Sequence, residues 1–295
     1  MATVQRNPMA WALLLCSTAG ALTVDGVNLG IDFGDSNFAS GPALIVAWIE
    51  RSIGIVGAYY GTFPASQLHI RVQSAAGAGV KTGTAFGMHG GTIRVVVGRE
   101  VTEAQLREDW VLVHEMIHLA LPDIGAQHAW LSEGLATYVE GIARAQAGNR
   151  TAEDVWAEQM RSMPKGLPQP GDAGLDRTHA WGRTYWGGAL FCLMADVEIR
   201  RQTQNKFGLQ DALRAVARAS GGLGTDWSIE RVLETGDAAV DVRVLEDMYA
   251  HWKDKPVTPD LPALWRSLGV ESAGSTVRLH ENAPLAAIRR SITQR

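Results

Sequence analysis

"HEMIHLALPDIGAQHAWLSEGLATYVE", His114 to Glu140, is the stretch that decides how this chain is read. His114 and His118 stand four apart, so on a helix both imidazoles project from one face. Two nitrogens from one helical turn suit a zinc ion, which takes imidazole at about 2.0–2.1 Å. Glu115 follows the first histidine and is turned partly aside. There it is badly placed to ligate the same ion but well placed to reach a water on it. Copper, manganese or iron accept similar donors, but two imidazoles, a carboxylate and an open position favour zinc. The bare pattern also arises by chance in unrelated helices, so the flanking residues must carry the case.

A catalytic zinc needs a third protein ligand and one open position. Glu133, in "WLSEG", is the leading candidate. The span from His118 lets one helix end, turn across Pro122 to Gly125, and return. Gly134 is expected to let the two helices approach closely. Asp123 and His128 are rivals for the same role. Asp123 also suits organisation of the turn, and His128 suits the surface or a supporting position. Thr137, one helical turn after Glu133, is placed to orient a ligand from behind. Leu121 and Ile124 stand where a different zinc architecture would need glycine and histidine.

The surrounding pattern predicts a helix for the histidine pair. Thr102 and Gln105 form a capping box. Leu106, Trp110, Val113, Ile117 and Leu121 recur at helical spacing as a buried stripe, and Pro122 stops the run. A second helix is expected over Trp130–Ala145. Upstream, Ala43–Gly61 reads as a helix, while "QLHIRVQS" (Gln67–Ser74) and "TIRVVV" (Thr92–Val97) read as strands of one small sheet. Met163–Thr178 reads as a long loop of the kind that borders functional clefts. Helical patterns follow over Thr184–Gln202, Leu209–Ser220, Ser228–Thr235, Val242–Lys253 and Leu261–Leu268. A short strand and a final helix are expected in the tail. The fold class is therefore α+β. Residues 22–125 form an α/β lobe carrying the histidine helix, and residues 126–295 a helical lobe carrying the third ligand.

Composition narrows the class. The 295 residues carry a formal net charge of −4 with no long basic run, so there is no electrostatic footprint for nucleic acid. Residues 1–21 combine Arg6, an apolar run from Met9 to about Leu15 and an Ala19-Gly20-Ala21 site, the pattern of a secretory signal. That run is too short for a comfortable membrane span. The expected location is exported, periplasmic or secreted, with no stable transmembrane span beyond a possible uncleaved leader. Cys16 and Cys192 are the only cysteines. Loss of the leader would leave no intramolecular disulfide, and Cys192 in "ALFCLM" reads as a buried thiol. His69, His179, His251 and His280 have no spacing partner and read as structural or exposed.

"HEMIH" followed by "WLSEGLATYVE" resembles the gluzincin metallopeptidases, and within them the catalytic domains of glycyl aminopeptidase-like and leukotriene-hydrolase-type families. The resemblance covers about Gln105 to Arg200. It implies a zincin-like, thermolysin-like catalytic domain and places the third zinc ligand on Glu133. "YWGGALFCLMADVEIR" is similar to the families' Tyr-x-Lys-Gly-Ala stretch. It puts an oxyanion-stabilising hydroxyl on Tyr185, with Gly187 where the families have lysine. These families also carry a Gly-x-Met-Glu-Asn motif whose glutamate holds a free amine. "FGMHGG" (Phe86–Gly91) stands in its place, with His89 where the glutamate belongs. The expectation is a zinc metallopeptidase acting on peptide or protein, with His114, His118 and Glu133 on the ion. Glu115 is the general base toward a zinc-activated water, and Tyr185 assists. Exo- versus endo-cleavage is left open. The alternative is a catalytically inactive zinc-binding fold of the same kind that binds peptide or protein partners.

Overall fold

The structure, a computed structural model, describes residues 22–87 and 90–294. The leader expected over residues 1–21, and with it Cys16, lies outside the described residues, as do Met88 and His89.

Five strands form one mixed sheet: β1 (Leu22–Val24), β2 (Val27–Asp32), β3 (Gln67–Ala75), β4 (Val80–Phe86) and β5 (Thr92–Gly98). Their spatial order is β1-β2-β3-β5-β4. The parallel pairs β2–β3 and β3–β5 form the middle, and the antiparallel strands β1 and β4 form the two edges. The two strands expected from alternation are neighbours, β3 and β5. Leu68, Ile70 and Val72 alternate with exposed residues on β3 and are buried beside Ile93, Val95 and Val97 of β5. The edge strands β1 and β4 lack that alternation of apolar residues and carry no strand expectation, whereas β2, with Val27 and Leu29 buried, has the alternation over a run too short to stand out.

Helix α1 (Pro42–Tyr60) crosses from β2 to β3. By length and composition it could span a membrane. Here Ile45, Trp48, Ile49, Ile53 and Val56 are fully buried, and it packs on four later helices, which is the environment of a core helix.

The single helix expected after Thr102 is two helices, α2 (Glu103–Glu108) and α3 (Val111–His118). The capping box forms as expected: Thr102 accepts from the Gln105 amide, and the Gln105 side chain accepts from the Thr102 amide. Asp109 breaks the run. Its backbone is extended, and its carboxylate accepts the Leu112 amide at 3.1 Å, so it caps the start of α3. Breaking there turns Trp110 out of the expected buried stripe, to 53% exposure, while Leu106, Val113, Ile117 and Leu121 are buried.

Helices dominate the remainder: α4 (Ala129–Gln146), α5 (Ala152–Ser162), α6 (Gly188–Gln202), α7 (Leu209–Ser220), α8 (Ile229–Val240), α9 (Leu245–Trp252) and α10 (Leu261–Leu268). The tail adds a hairpin, β6 (Val270–Ala273) and β7 (Thr276–Leu279), and then α11 (Ala286–Thr293). Gly134 does make a close helix contact, but not with the histidine helix. A Cβ built on Gly134 would stand 2.3 Å from the Gly188 backbone, and one on Gly188 would stand 1.8 Å from the Trp130 carbonyl. The glycine pair therefore seats α6 directly on α4. That contact brings the turn preceding α6, Arg183–Gly187, alongside the Glu133 segment.

Candidate metal centre and cleft

Helix α3 presents His114 and His118, and the first turns of α4 present Glu133. Glu133 Oε2 lies 3.3 Å from His114 Nε2 and 3.5 Å from His118 Nε2. All three donor atoms lie within 4.8 Å of one another. A tetrahedral ion with bonds of about 2.0–2.1 Å holds neighbouring donors about 3.3 Å apart, which the two spacings from Glu133 match. Burial works against the Glu133 carboxylate. Hydrogen bonds to His114 and His118 outweigh it and hold its pKa down to about 2. His118 Nδ1 meets Ser132 Oγ at 3.1 Å, which fixes the ring and leaves Nε2 for the ion.

Neither rival ligand joins the trio. His128 Nδ1 is 3.0 Å from Asp176 Oδ1, and the same carboxylate accepts from Trp130 Nε1 at 2.8 Å and from the Tyr249 hydroxyl at 2.7 Å. Asp123 organises the turn: its carboxylate accepts the Gly125 amide at 2.8 Å, and its backbone bridges to Asp226.

Glu115 faces a cleft of about 540 Å³ bounded on one side by Lys81–Ala85 of edge strand β4 and floored by His114, His118 and Glu133. Burial pushes its carboxyl above the ordinary carboxylate value, although the two histidines and the Ala85 amide oppose the rise. That is the direction a proton-accepting carboxylate needs at neutral pH.

Tyr185 lines the same cleft. It sits in a wide, π-type turn over Arg183–Gly187, a local geometry often found at functional positions. Its ring lies over His114 with centroids 6.5 Å apart and planes within 23°. Burial, then the neighbouring Glu133 and Glu115 carboxylates, raises its pKa and keeps the hydroxyl a donor. The turn is braced from the long loop: the Arg183 guanidinium lies 2.7 Å from the Asp172 carboxylate, both essentially fully buried, and also donates to the Gly166 carbonyl.

Sequence reasoning missed several residues around the cleft. Trp181 is 62% exposed and stacks on Tyr185 at 5.8 Å. Trp110 meets His114 edge-on at 5.5 Å. Gly83, Ser132 and the Arg183–Asp172 pair carried no motif of their own. Ser132 alone had a local signal, its place beside Glu133 in "WLSEG".

No family model and no curated protein matches the sequence. Solved structures do match the fold. An aminopeptidase N family protein from Idiomarina loihiensis superposes at a TM-score of 0.61 with 13% identity, over 86% of this chain and 49% of its own. An M1 zinc metallopeptidase from Deinococcus radiodurans gives 0.52 with 17% identity, over 80% and 50%. A two-domain M1 zinc metallopeptidase variant bound to L-arginine gives 0.51 with 17% identity, again over 80% and 50%. The chain thus has the fold of M1 zinc metallopeptidase domains, a mixed sheet joined to a mostly helical part. It spans about half the length of those structures.

Proposed function

We propose that this chain is a zinc-dependent peptidase of the gluzincin type, with a thermolysin-like catalytic arrangement. The observation that carries the reading is convergence. Two imidazoles and a carboxylate from α3 and α4 meet at donor spacings suited to zinc, with Glu115 and Tyr185 on the walls of the same cleft. The fold it shares with M1 zinc metallopeptidases supports the reading.

His114, His118 and Glu133 would hold the ion. Zinc bound there supplies Lewis acidity, polarising the scissile carbonyl and making a water acidic enough to attack near neutral pH. Glu115 takes the proton of the attacking water. As the C–N bond breaks, Glu115 passes that proton to the leaving nitrogen. Tyr185 donates its hydroxyl hydrogen to the carbonyl oxygen as negative charge gathers on it. The edge strand β4, which borders the cleft, gives an extended peptide a strand to pair with. We propose further, from the leader pattern over residues 1–21, that this activity lies outside the cytoplasm, and mapping the N-terminus of the exported protein tests that part.

The test is a peptide-library cleavage profile on protein with a measured zinc stoichiometry. Cleavage that tracks zinc content and disappears with a chelator is expected. Stoichiometric zinc with no peptide cleavage would replace the enzyme by the non-catalytic, peptide-binding reading. The intact Glu115 and Tyr185 speak against that outcome.

A further inference from the structure

A second cavity, of about 230 Å³, opens from the side of the cleft and shares Trp110, His114 and Tyr185 with it. It runs along α4 past Thr137 to Glu140, and is closed by Glu158 and Ser162 of α5 and by Lys165, Trp181 and Trp186. Nothing in the hydrolytic step uses its far end.

Its rim is unusual for this molecule. Among the described residues, the large hydrophobic side chains that stand exposed are Phe86, Trp110 and Trp181. Two of the three line this cavity, and the third ends the strand that borders the main cleft. Apolar surface left uncovered and gathered at a concave site marks a place where a ligand completes the packing. The rings are already held in position. Trp181 stacks on Tyr185, Tyr185 on His114, and Trp110 meets His114 edge-on. A guest side chain therefore meets preset aromatic faces.

The charges decide what kind of guest. Glu140 is held by Arg144 at 2.8 Å, and Glu158 by Arg150 at 2.5 Å, so each carboxylate already has its cation. Lys165 approaches Ser162 Oγ at 3.2 Å and lies over the Trp186 ring, with its positive charge toward the cavity end. A cationic guest meets Lys165 as a like charge, and an anionic guest meets acidic side chains whose own cations are already engaged. An indole face by itself attracts a cation, but Lys165 already lies over the Trp186 face and repels a second positive charge, while the hydroxyls of Thr137 and Ser162 favour neither sign. We propose that this cavity is a selectivity pocket for a large uncharged side chain, aromatic above all, of a peptide lying in the cleft. The inference rests on the peptidase reading for its substrate class, but the pocket is testable without turnover.

The test uses the zinc-loaded Glu115→Gln protein and pentapeptide amides Gly-Gly-X-Gly-Gly, with binding measured by calorimetry. The series with phenylalanine, alanine and lysine at X lets the side chain set its own register. The phenylalanine peptide is expected to bind about tenfold or more tighter than the alanine peptide, the scale of discrimination an apolar pocket gives. The lysine peptide gains no such advantage. Trp181→Ala, at an exposed position, should bring the phenylalanine-to-alanine ratio down toward one. Lys165→Met should improve the lysine peptide relative to alanine. Equal binding of phenylalanine and alanine, a ratio untouched by Trp181→Ala, or a preference for lysine in the parent protein would each overturn the pocket. Selective binding combined with no cleavage by the zinc-loaded parent protein would instead overturn the peptidase reading and leave the pocket standing.

Discussion

Gly83 on the edge strand and Glu115 on the histidine helix touch so closely that a side chain at residue 83 would displace the carboxylate. A Cβ built there stands 2.5 Å from Glu115 Cγ and 2.9 Å from Val111 Cγ1. Gly83 thus sets how near the strand that borders the cleft can come to the residue proposed as base. Gly83→Ala is expected to lower kcat about 10- to 100-fold, since a displacement near 1 Å at a reacting group costs about that much. Zinc affinity should stay within about twofold, because His114, His118 and Glu133 do not contact residue 83. Loss of zinc together with activity would show that the substitution disturbs α3 as a whole.

Glu115 and Glu133 should separate cleanly by metal content. Glu115→Gln keeps the shape of the cleft and removes the proton acceptor, so zinc stays bound while turnover falls about 10²- to 10⁴-fold. Glu133→Ala removes a donor, and zinc affinity measured against a competing chelator should fall by more than about 100-fold. Ser132→Ala leaves all three donors but frees the His118 ring, and should cost about 10- to 100-fold in affinity, the range for a supporting partner. The ordering Glu133→Ala, then Ser132→Ala, then Glu115→Gln is the check. Full zinc retention in Glu133→Ala would remove Glu133 from the metal site.

What the sequence revealed and what it hid divide along a physical line. The histidine spacing, the capping box at Thr102 and the strands β3 and β5 are local patterns, and each is where its pattern put it. Asp109 hid the break in the helix, because one capping carboxylate outweighed an unbroken apolar periodicity. Trp110 leaves the expected buried stripe for the same reason: the break rotates it into the cleft. Helix α5 escaped notice although Thr151 caps it, with its side chain accepting the Asp154 amide. The partner of Gly134 was misjudged too, since any helix can use a glycine and only the assembled fold shows that α6 does. The Arg183–Asp172 brace joins residues with no periodic relation, so nothing local announces it.

That brace should matter for both stability and catalysis. Arg183 and Asp172 are 2% and 1% exposed, and among the described residues Arg183 Nε and Nη2 and Asp172 Oδ2 lack partners of hydrogen-bonding geometry, so the pair is held as a close charge contact. Removing one member leaves the other charge buried and unpaired, at a cost of about 3–5 kcal/mol. Asp172→Ala is therefore expected to lower the denaturation midpoint substantially. Glu158→Ala breaks a pair in which one side chain is 39% exposed, and should cost no more than about 1 kcal/mol. Because Arg183 begins the turn that carries Tyr185, the surviving folded fraction of Asp172→Ala should also show a reduced kcat at normal zinc content. Equal destabilisation by the two substitutions would mean that the buried pair contributes no more than the exposed one.

Glu140 makes stability depend on pH in a direction opposite to that of an ordinary surface carboxylate pair. Burial raises its pKa to about 7, although Arg144 beside it pulls the other way; Glu158 adds to the rise and Arg150 opposes it. With a folded value above the unfolded value of 4.5, the native state holds the proton more tightly than the unfolded chain. This stabilisation is fully present below about pH 4.5 and is lost as pH rises through about 7. Each pKa step is worth about 1.4 kcal/mol, so the full contribution is on the order of 3 kcal/mol. Glu140→Gln keeps the shape of the side chain and cannot ionise. Urea melts of both proteins across pH 4.5 to 8 should show the parent losing stability relative to Glu140→Gln as pH rises. A stability difference that is flat across that range, or that grows in the parent's favour, would mean that Arg144 holds the Glu140 carboxylate ionised throughout and that burial is the weaker of the two influences.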